Sequence, residues 1–184
     1  TPKPKPTAMS KATYSDLKEK QIRIPNNLYI VATMNTSDES IYYMDSAFKR
    51  RWNWEYIPVD HKPTDSKIDG ITISYNSGGK DKKIKWVDFI DKLNDFICSH
   101  GKSIRKVEDK QIGYWFIKAS VDSININDIK NKLLFFLWDS VFNRDKKPLV
   151  ELLYGENKDK AQELITFGDF AKKVDTFIDK IKSF

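Results

Sequence analysis

The stretch NNLYIVATMNTSDESIYYMDSAFKRRWNWEYIP, residues 26–58, decides how this chain is interpreted. LYIVAT at 28–33 is a nearly continuous apolar run of β-forming residues, which is typical of a strand covered on both faces. Residues 40–51 predict a helix, because apolar residues recur at helical spacing. WEYIPV at 54–59 predicts a second strand. The stretch therefore predicts a βαβ fragment, and so an α/β layer.

Polar residues follow the first predicted strand, at the end where ligands bind in open α/β sheets. Asn35 offers an uncharged amide that can hold a water molecule or a phosphate oxygen, and Asp38 adds a carboxylate. The same two residues also fit a plain turn followed by a helix N-cap. Spacing alone leaves both interpretations open.

Arg50 and Arg51 end the predicted helix. A helix of ten residues is about 15 Å long, so we expect the pair to lie far from Asn35 and to serve another subunit. Guanidinium groups suit phosphates, and an arginine that contacts a neighbouring subunit's nucleotide can raise the rate of hydrolysis by about 10³–10⁵-fold. Charge complementarity at a helix C-terminus or a surface ion pair explains the pair equally well.

Composition excludes several classes of protein. Hydrophobic residues make up 40% and charged residues 32% of the 184 residues, as in soluble globular proteins. The lone Cys98 excludes an internal disulfide, and with His61 and His100 it shows no metal-site spacing. Since no apolar run reaches the roughly 18 residues of a membrane span, we expect a cytoplasmic protein. The net charge of +6 permits nucleic-acid binding but fits a solvated lysine-rich surface as well.

The sequence predicts four segments. Residues 1–20 are an extended linker or a segment boundary, 21–60 the end of the α/β core, 61–85 a loop or hairpin insertion, and 86–184 a mostly helical part. A capping box, Thr166 with Asp169, precedes the last of three apolar stripes in the helical part. The stripes are Trp86, Phe89, Ile90, Leu93, Phe96 and Ile97; Ile129, Leu133, Phe136, Leu137 and Val141; and Phe170, Val174, Phe177, Ile178 and Ile181.

TMNTSDES and DSAFKRRW resemble motifs of AAA+ NTPases, most of all those of the McrB family. That family comprises the nucleotide-hydrolysing subunits of modification-dependent restriction systems, and its pattern is TMNTADRS followed by D-x-A-L-R-R-R-F. IGYWFIKA at 112–119 and LLFFLWDSVF at 133–142 resemble the family's helical lid more weakly. The resemblance implies an incomplete AAA+ module of class α/β plus α, with a partial parallel-sheet core followed by a lid.

The resemblance also implies roles for the candidate residues. Asn35 corresponds to the sensor-1 residue that positions the attacking water, and Asp38 belongs to the same motif. Arg50 and Arg51 fall on the arginine-finger positions and would act in trans across a ring interface. Glu39 departs from the pattern, because the family usually has arginine there.

By the same resemblance, the parent protein forms a ring and hydrolyses GTP or ATP with Mg²⁺. It powers DNA translocation and cleavage with an McrC-like nuclease in a 5-methylcytosine-type restriction system. The chain has no G-x-x-x-x-G-K-[ST] phosphate loop, so we expect nucleotide to be bound mainly by upstream residues and this chain alone to be inactive.

Two alternatives remain open at the level of sequence. One is a basic nucleic-acid-binding module without an NTPase role, which would use lysines and the aromatic residues Trp52, Trp54 and Trp115. The other is an AAA+ chaperone that resembles the MoxR proteins.

Overall fold

The computed structural model describes residues 27–33, 44–59, 68–155 and 164–184. The chain divides into two compact units, 1–36 and 37–184. In the first unit, the described residues 27–33 form irregular, exposed backbone, and Val31 is 93% exposed. The predicted buried strand at 28–33 is therefore wrong. An apolar run becomes a buried strand only where other strands satisfy its backbone groups and other elements cover both faces, and this run has neither in the described structure.

The described helices and strands all belong to the second unit. In chain order they are α1 (Ser46–Lys49), β1 (Thr72–Ser77), β2 (Lys80–Lys85), α2 (Trp86–Ser99), β3 (Ser123–Ile124), α3 (Ile126–Asp128), α4 (Lys147–Tyr154), α5 (Phe167–Ala171) and α6 (Val174–Lys182). Short 3-10 helices cover Ile68–Gly70 and Val107–Lys110, and α3 continues as two π-helical segments, Ile129–Leu134 and Leu137–Val141.

The second predicted strand, 54–59, is also absent. These residues are irregular, and Trp54, Tyr56 and Ile57 are 55–75% exposed. Pro58 cannot donate a hydrogen bond to a neighbouring strand, which further disfavours pairing here. The AAA+ fold class and the domain limits drawn from the sequence stay predictions.

The hairpin expected between 61 and 85 is present as β1 and β2, paired antiparallel from Thr72 opposite Lys85 to Ser77 opposite Lys80. Gly78 and Gly79 form its two-residue loop with φ of 63° and 76°, and such positive values suit glycine. β3 pairs with β1 in parallel and completes a mixed sheet of order β2-β1-β3.

The core forms where α2 packs against the sheet and α6. All six stripe residues of α2 are buried, as are all five stripe residues from Phe170 to Ile181. The ring of Phe89 meets that of Phe177 edge to face at 6.5 Å, and Phe177 meets Phe170 in the same way at 5.4 Å. The predicted apolar stripes of α2 and α6 are therefore confirmed as core faces.

The predicted capping box opens α5. The Thr166 hydroxyl accepts a hydrogen bond from the backbone N–H of Asp169, and the Asp169 carboxylate accepts one from the backbone N–H of Thr166. Hydrogen bonds from Thr166 also lower the pKa of Asp169. This reciprocal arrangement satisfies two backbone donors that a helix start otherwise leaves without partners.

Asp179 of α6 fixes the hairpin to the helical part. Its carboxylate accepts hydrogen bonds from the Tyr75 hydroxyl (3.1 Å), the Ser77 hydroxyl (2.9 Å) and Lys82 Nζ (3.0 Å). Lys82 and then Ser77 lower the pKa of Asp179. Burial, followed by the hydrogen bond to Asp179, raises the pKa of Tyr75 to about 12. One carboxylate thus joins both strands of the hairpin to α6.

We expect the Asp179→Asn variant to be less stable than the wild type at neutral pH, with the difference shrinking in acid. The folded-state pKa of Asp179 is lowered, so the carboxylate stabilises the fold above the unfolded-state pKa of about 4 and loses this effect as the pH falls through the folded-state value. Urea unfolding between pH 3 and about 7 measures the difference. If the difference in the free energy of unfolding between the two proteins stays constant over this pH range, the role assigned to Asp179 is contradicted.

Candidate functional site

The arginine pair lies in a short, locally stabilised segment. Asp45 is the N-cap of α1, and its carboxylate accepts a hydrogen bond of 2.6 Å from the backbone N–H of Phe48. Beyond the helix, the indole N–H of Trp54 donates to the Lys49 carbonyl oxygen at 2.8 Å. The helix predicted over 40–51 ends earlier than expected, because α1 covers Ser46–Lys49. Residues 40–43 lie outside the described residues.

Arg50 is the C-cap of α1, Arg51 follows it, and both are exposed. Within the described residues, neither guanidinium group has an ion pair or a hydrogen bond. A helix of four residues also has little macrodipole for a cation to complement. The two alternative explanations for the pair, a helix-end charge and a surface ion pair, therefore have little support in the described structure.

Asn35, Asp38 and Glu39 lie outside the described residues. The sensor-1 role of Asn35 and the place of Asp38 in the same motif stay predictions. Of the aromatic residues proposed for nucleic-acid binding, Trp52 is half-buried, whereas Trp54 is 55% and Trp115 is 63% exposed. The exposed rings of Trp54 and Trp115 are accessible for stacking on nucleic-acid bases.

Two arginines that carry no sequence motif meet in one cavity of about 360 Å³. Arg105 follows α2, and Arg144 follows the second π-helical segment. We call this cavity the basic cleft; its charged lining residues are Arg105, Lys106, Asp109, Lys110 and Arg144, and its neutral ones are Ser103, Ser140, Val141 and Asn143. Sequence reasoning missed the site because its two arginines are 39 positions apart and only the tertiary fold brings them together.

A second cavity, of about 450 Å³, lies beside α2 and contains Asp91, Asp95 and Cys98. Asp91 accepts a hydrogen bond from the Tyr114 hydroxyl, and Gln111 Nε2 lies 3.1 Å from Cys98 Sγ. In the described parts of the chain, no group of histidine, cysteine and acidic side chains is arranged to hold a metal ion. We therefore assign no metal ligand to this cavity.

No helix in the described ranges combines the length and the apolar character needed to cross a membrane.

The chain is 34% identical over 172 residues to the Type II restriction enzyme BsuMI component YdiS of Bacillus subtilis (strain 168). The alignment covers 94% of this chain but 46% of the relative, so the chain spans about half the length of the curated relative that it matches. No family model matches the chain, and no solved structure matches it. The chain is similar to a restriction-enzyme component.

This similarity overturns the assignment to the McrB family. That assignment depended mainly on two short motifs between 26 and 58, with weaker resemblances at 112–119 and 133–142, whereas the match to the BsuMI component extends over 172 residues. An alignment over 172 residues is a stronger observation than two eight-residue motifs. The expected link to restriction systems agrees with the relative; the nuclease partner, the ring and the nucleotide stay predictions.

We expect the Arg50→Ala/Arg51→Ala double variant to fold as stably as the wild type. Both side chains are exposed and have no partner in the described structure, so the free energy of unfolding should change by about 0.5 kcal/mol or less. Ile178→Ala is the positive control, because Ile178 is fully buried and its truncation should cost about 2–5 kcal/mol. Denaturant unfolding measures both variants. A loss from the arginine variant as large as that from Ile178→Ala would show that the pair is structural.

Proposed function

We propose that this chain is part of a restriction-system component that hydrolyses a nucleoside triphosphate, GTP or ATP. The similarity to the BsuMI component over 94% of the chain supports the link to restriction. The proposed hydrolysis of a nucleoside triphosphate is supported by an adjacent, exposed arginine pair, Arg50 and Arg51. No described carboxylate neutralises these two residues.

In this proposal, Arg50 and Arg51 act on a nucleotide bound by a neighbouring subunit of a ring. Negative charge is spread over the equatorial oxygens of the transferring phosphoryl group in the transition state, and a guanidinium fork can donate two hydrogen bonds to such oxygens. The guanidinium charge stabilises the transition state most strongly when contact between subunits excludes water from the site, since water then no longer screens the charge. The arginine pair thereby couples hydrolysis to contact between subunits.

The local structure suits a group presented to another molecule. The Asp45 cap and the Trp54 indole hold both ends of α1, which fixes the backbone at Arg50. The two side chains extend into solvent from this fixed point. Because the backbone is held by hydrogen bonds within the segment, the arginines do not need intramolecular partners to keep their place.

In the same proposal, Asn35 and Asp38 act on the nucleotide bound by their own subunit. There, Asn35 would position the attacking water. No described residue is assigned to Mg²⁺, since no three histidine, cysteine or acidic side chains are grouped to hold a metal ion in the described parts of the chain. The ion and most of the nucleotide contacts would come from residues outside this chain. Further proposed partners are other copies of the same protein, a nuclease subunit and DNA.

The second candidate function is a nucleic-acid-binding module without hydrolysis. The exposed rings of Trp54 and Trp115 and the basic cleft favour it. The two candidates differ in what the arginine pair does, because only the first requires Arg50 and Arg51 for nucleotide turnover.

We expect the double variant Arg50→Ala/Arg51→Ala, made in the full-length parent protein, to lose at least about 10³-fold in the kcat for GTP or ATP. Nucleotide affinity should change little, because the subunit's own site lacks these residues. Replacing both by lysine should restore only part of the rate, since lysine keeps the charge but not the planar fork.

Lys118→Ala/Lys182→Ala is the matched control, because it also removes two exposed cations. Phosphate release under saturating nucleotide measures all four proteins. Turnover of the arginine variant equal to that of this control would exclude the proposed role.

A further inference from the structure

The basic cleft is formed by two structured turns that pack against each other. After α2, both the backbone N–H and the hydroxyl of Ser103 donate to the His100 carbonyl oxygen at 3.0 Å. Lys106 then adopts the left-handed conformation, with φ of 53°, which is unfavourable for a residue with a side chain. The following 3-10 helix, Val107–Lys110, packs against the π-helical segment Leu137–Val141. The turn is thus fixed by hydrogen bonds and by packing.

The opposite wall is equally well defined. The backbone N–H of Phe142 donates to the Leu137 carbonyl oxygen at 2.8 Å and closes the π-helical segment, while the Phe142 ring is buried. The next residues, Asn143 and Arg144, are exposed. Arg144 is therefore presented to the cleft from a buried anchor two residues earlier.

The charge of the cleft calls for an anionic ligand. Arg105, Lys106, Lys110 and Arg144 contribute four cations, and Asp109 contributes one carboxylate. Positive side chains thus outnumber negative ones in the described lining, and a concavity lined mainly by one sign of charge attracts ions of the opposite sign. The neutral side chains of Ser103, Ser140 and Asn143 can donate hydrogen bonds to the oxygens of such an anion.

We propose that the basic cleft binds phosphate groups of a DNA backbone. Among the described residues that line the cleft, none is aromatic and Val141 is the one apolar side chain. This described lining therefore offers phosphate-binding groups but no surface on which a nucleobase could stack, which favours a polymer backbone over a free nucleotide. The choice of DNA rests on the proposed restriction-system role, which the similarity to a Type II restriction enzyme component supports. The inference does not require nucleotide hydrolysis.

The test uses the 184-residue chain and a short fluorescent DNA duplex, with no nucleotide present. We expect saturable binding that weakens as salt rises. Arg105→Ala/Arg144→Ala should lower the affinity at least about tenfold and reduce the slope of log K against log salt by about 1.8, which corresponds to two lost phosphate contacts. Arg105→Lys/Arg144→Lys should keep most of the affinity, because lysine retains the charge.

The matched control is Lys118→Ala/Lys182→Ala, which removes the same charge from exposed residues outside the cleft. If both alanine variants lower the affinity and the salt slope equally, binding is a general effect of net charge and the proposal fails. Equal thermal unfolding of all variants checks the fold. Displacement of the DNA by excess ATP or GTP at constant ionic strength would also overturn the proposal, since it would identify a mononucleotide site.

A failed DNA test leaves the proposed role of Arg50 and Arg51 intact, because that role is measured as nucleotide turnover in the parent protein. Conversely, DNA binding through the basic cleft can be confirmed even where the arginine pair proves irrelevant to turnover.

Discussion

Burial of the apolar face of α2 is the constraint on which the described structure depends. The sheet packs against this helix, α6 packs against its Phe89, and the Trp86 indole N–H donates to the Tyr114 carbonyl oxygen at 2.7 Å. At the other end of α2, the Phe96 ring contacts the rings of His100 at 4.7 Å and Phe142 at 5.7 Å. His100 precedes one wall of the basic cleft and Phe142 precedes the other. The core therefore also sets the geometry of the cleft.

The segment that carries Arg50 and Arg51 is stabilised differently. Its hydrogen bonds join residues that are close together in the chain, and the side chains of α1 are exposed. Phe48, the largest apolar residue of α1, is 43% exposed and contacts Trp52 at 5.7 Å. With few buried contacts, the segment depends for its conformation on these local hydrogen bonds and not on the core. The protein thus combines a rigid cleft anchored in the core with an arginine pair held mainly by local bonds.

The sequence predicts the helical part well because its signals are local. Apolar stripes at helical spacing identify the buried faces of α2 and α6, and Thr166 with Asp169 identifies a helix start. The strands expected at 28–33 and 54–59 fail for a different reason. Apolar β-forming residues show that a segment could be buried in a sheet, but they do not supply the neighbouring strands.

The candidate sites show the same limit. Adjacency made the pair Arg50 and Arg51 visible in the sequence, whereas Arg105 and Arg144 became a site only when the fold brought two turns together. The Asp179 cluster was equally invisible, because its partners Tyr75, Ser77 and Lys82 lie about a hundred positions earlier. Motif reasoning finds chemistry that is contiguous in the chain. Sites assembled from distant turns appear only in the folded structure.

The central proposal is that Asn35 would serve the nucleotide of its own subunit while Arg50 and Arg51 would serve that of a neighbour. The most direct measurement mixes two inactive full-length variants, one carrying Asn35→Ala and the other Arg50→Ala/Arg51→Ala, and records nucleotide hydrolysis. The account predicts that the mixture regains activity that neither variant has alone, because some interfaces then combine an intact Asn35 with an intact arginine pair. Mixed assemblies that form but remain as inactive as the separate variants would contradict it.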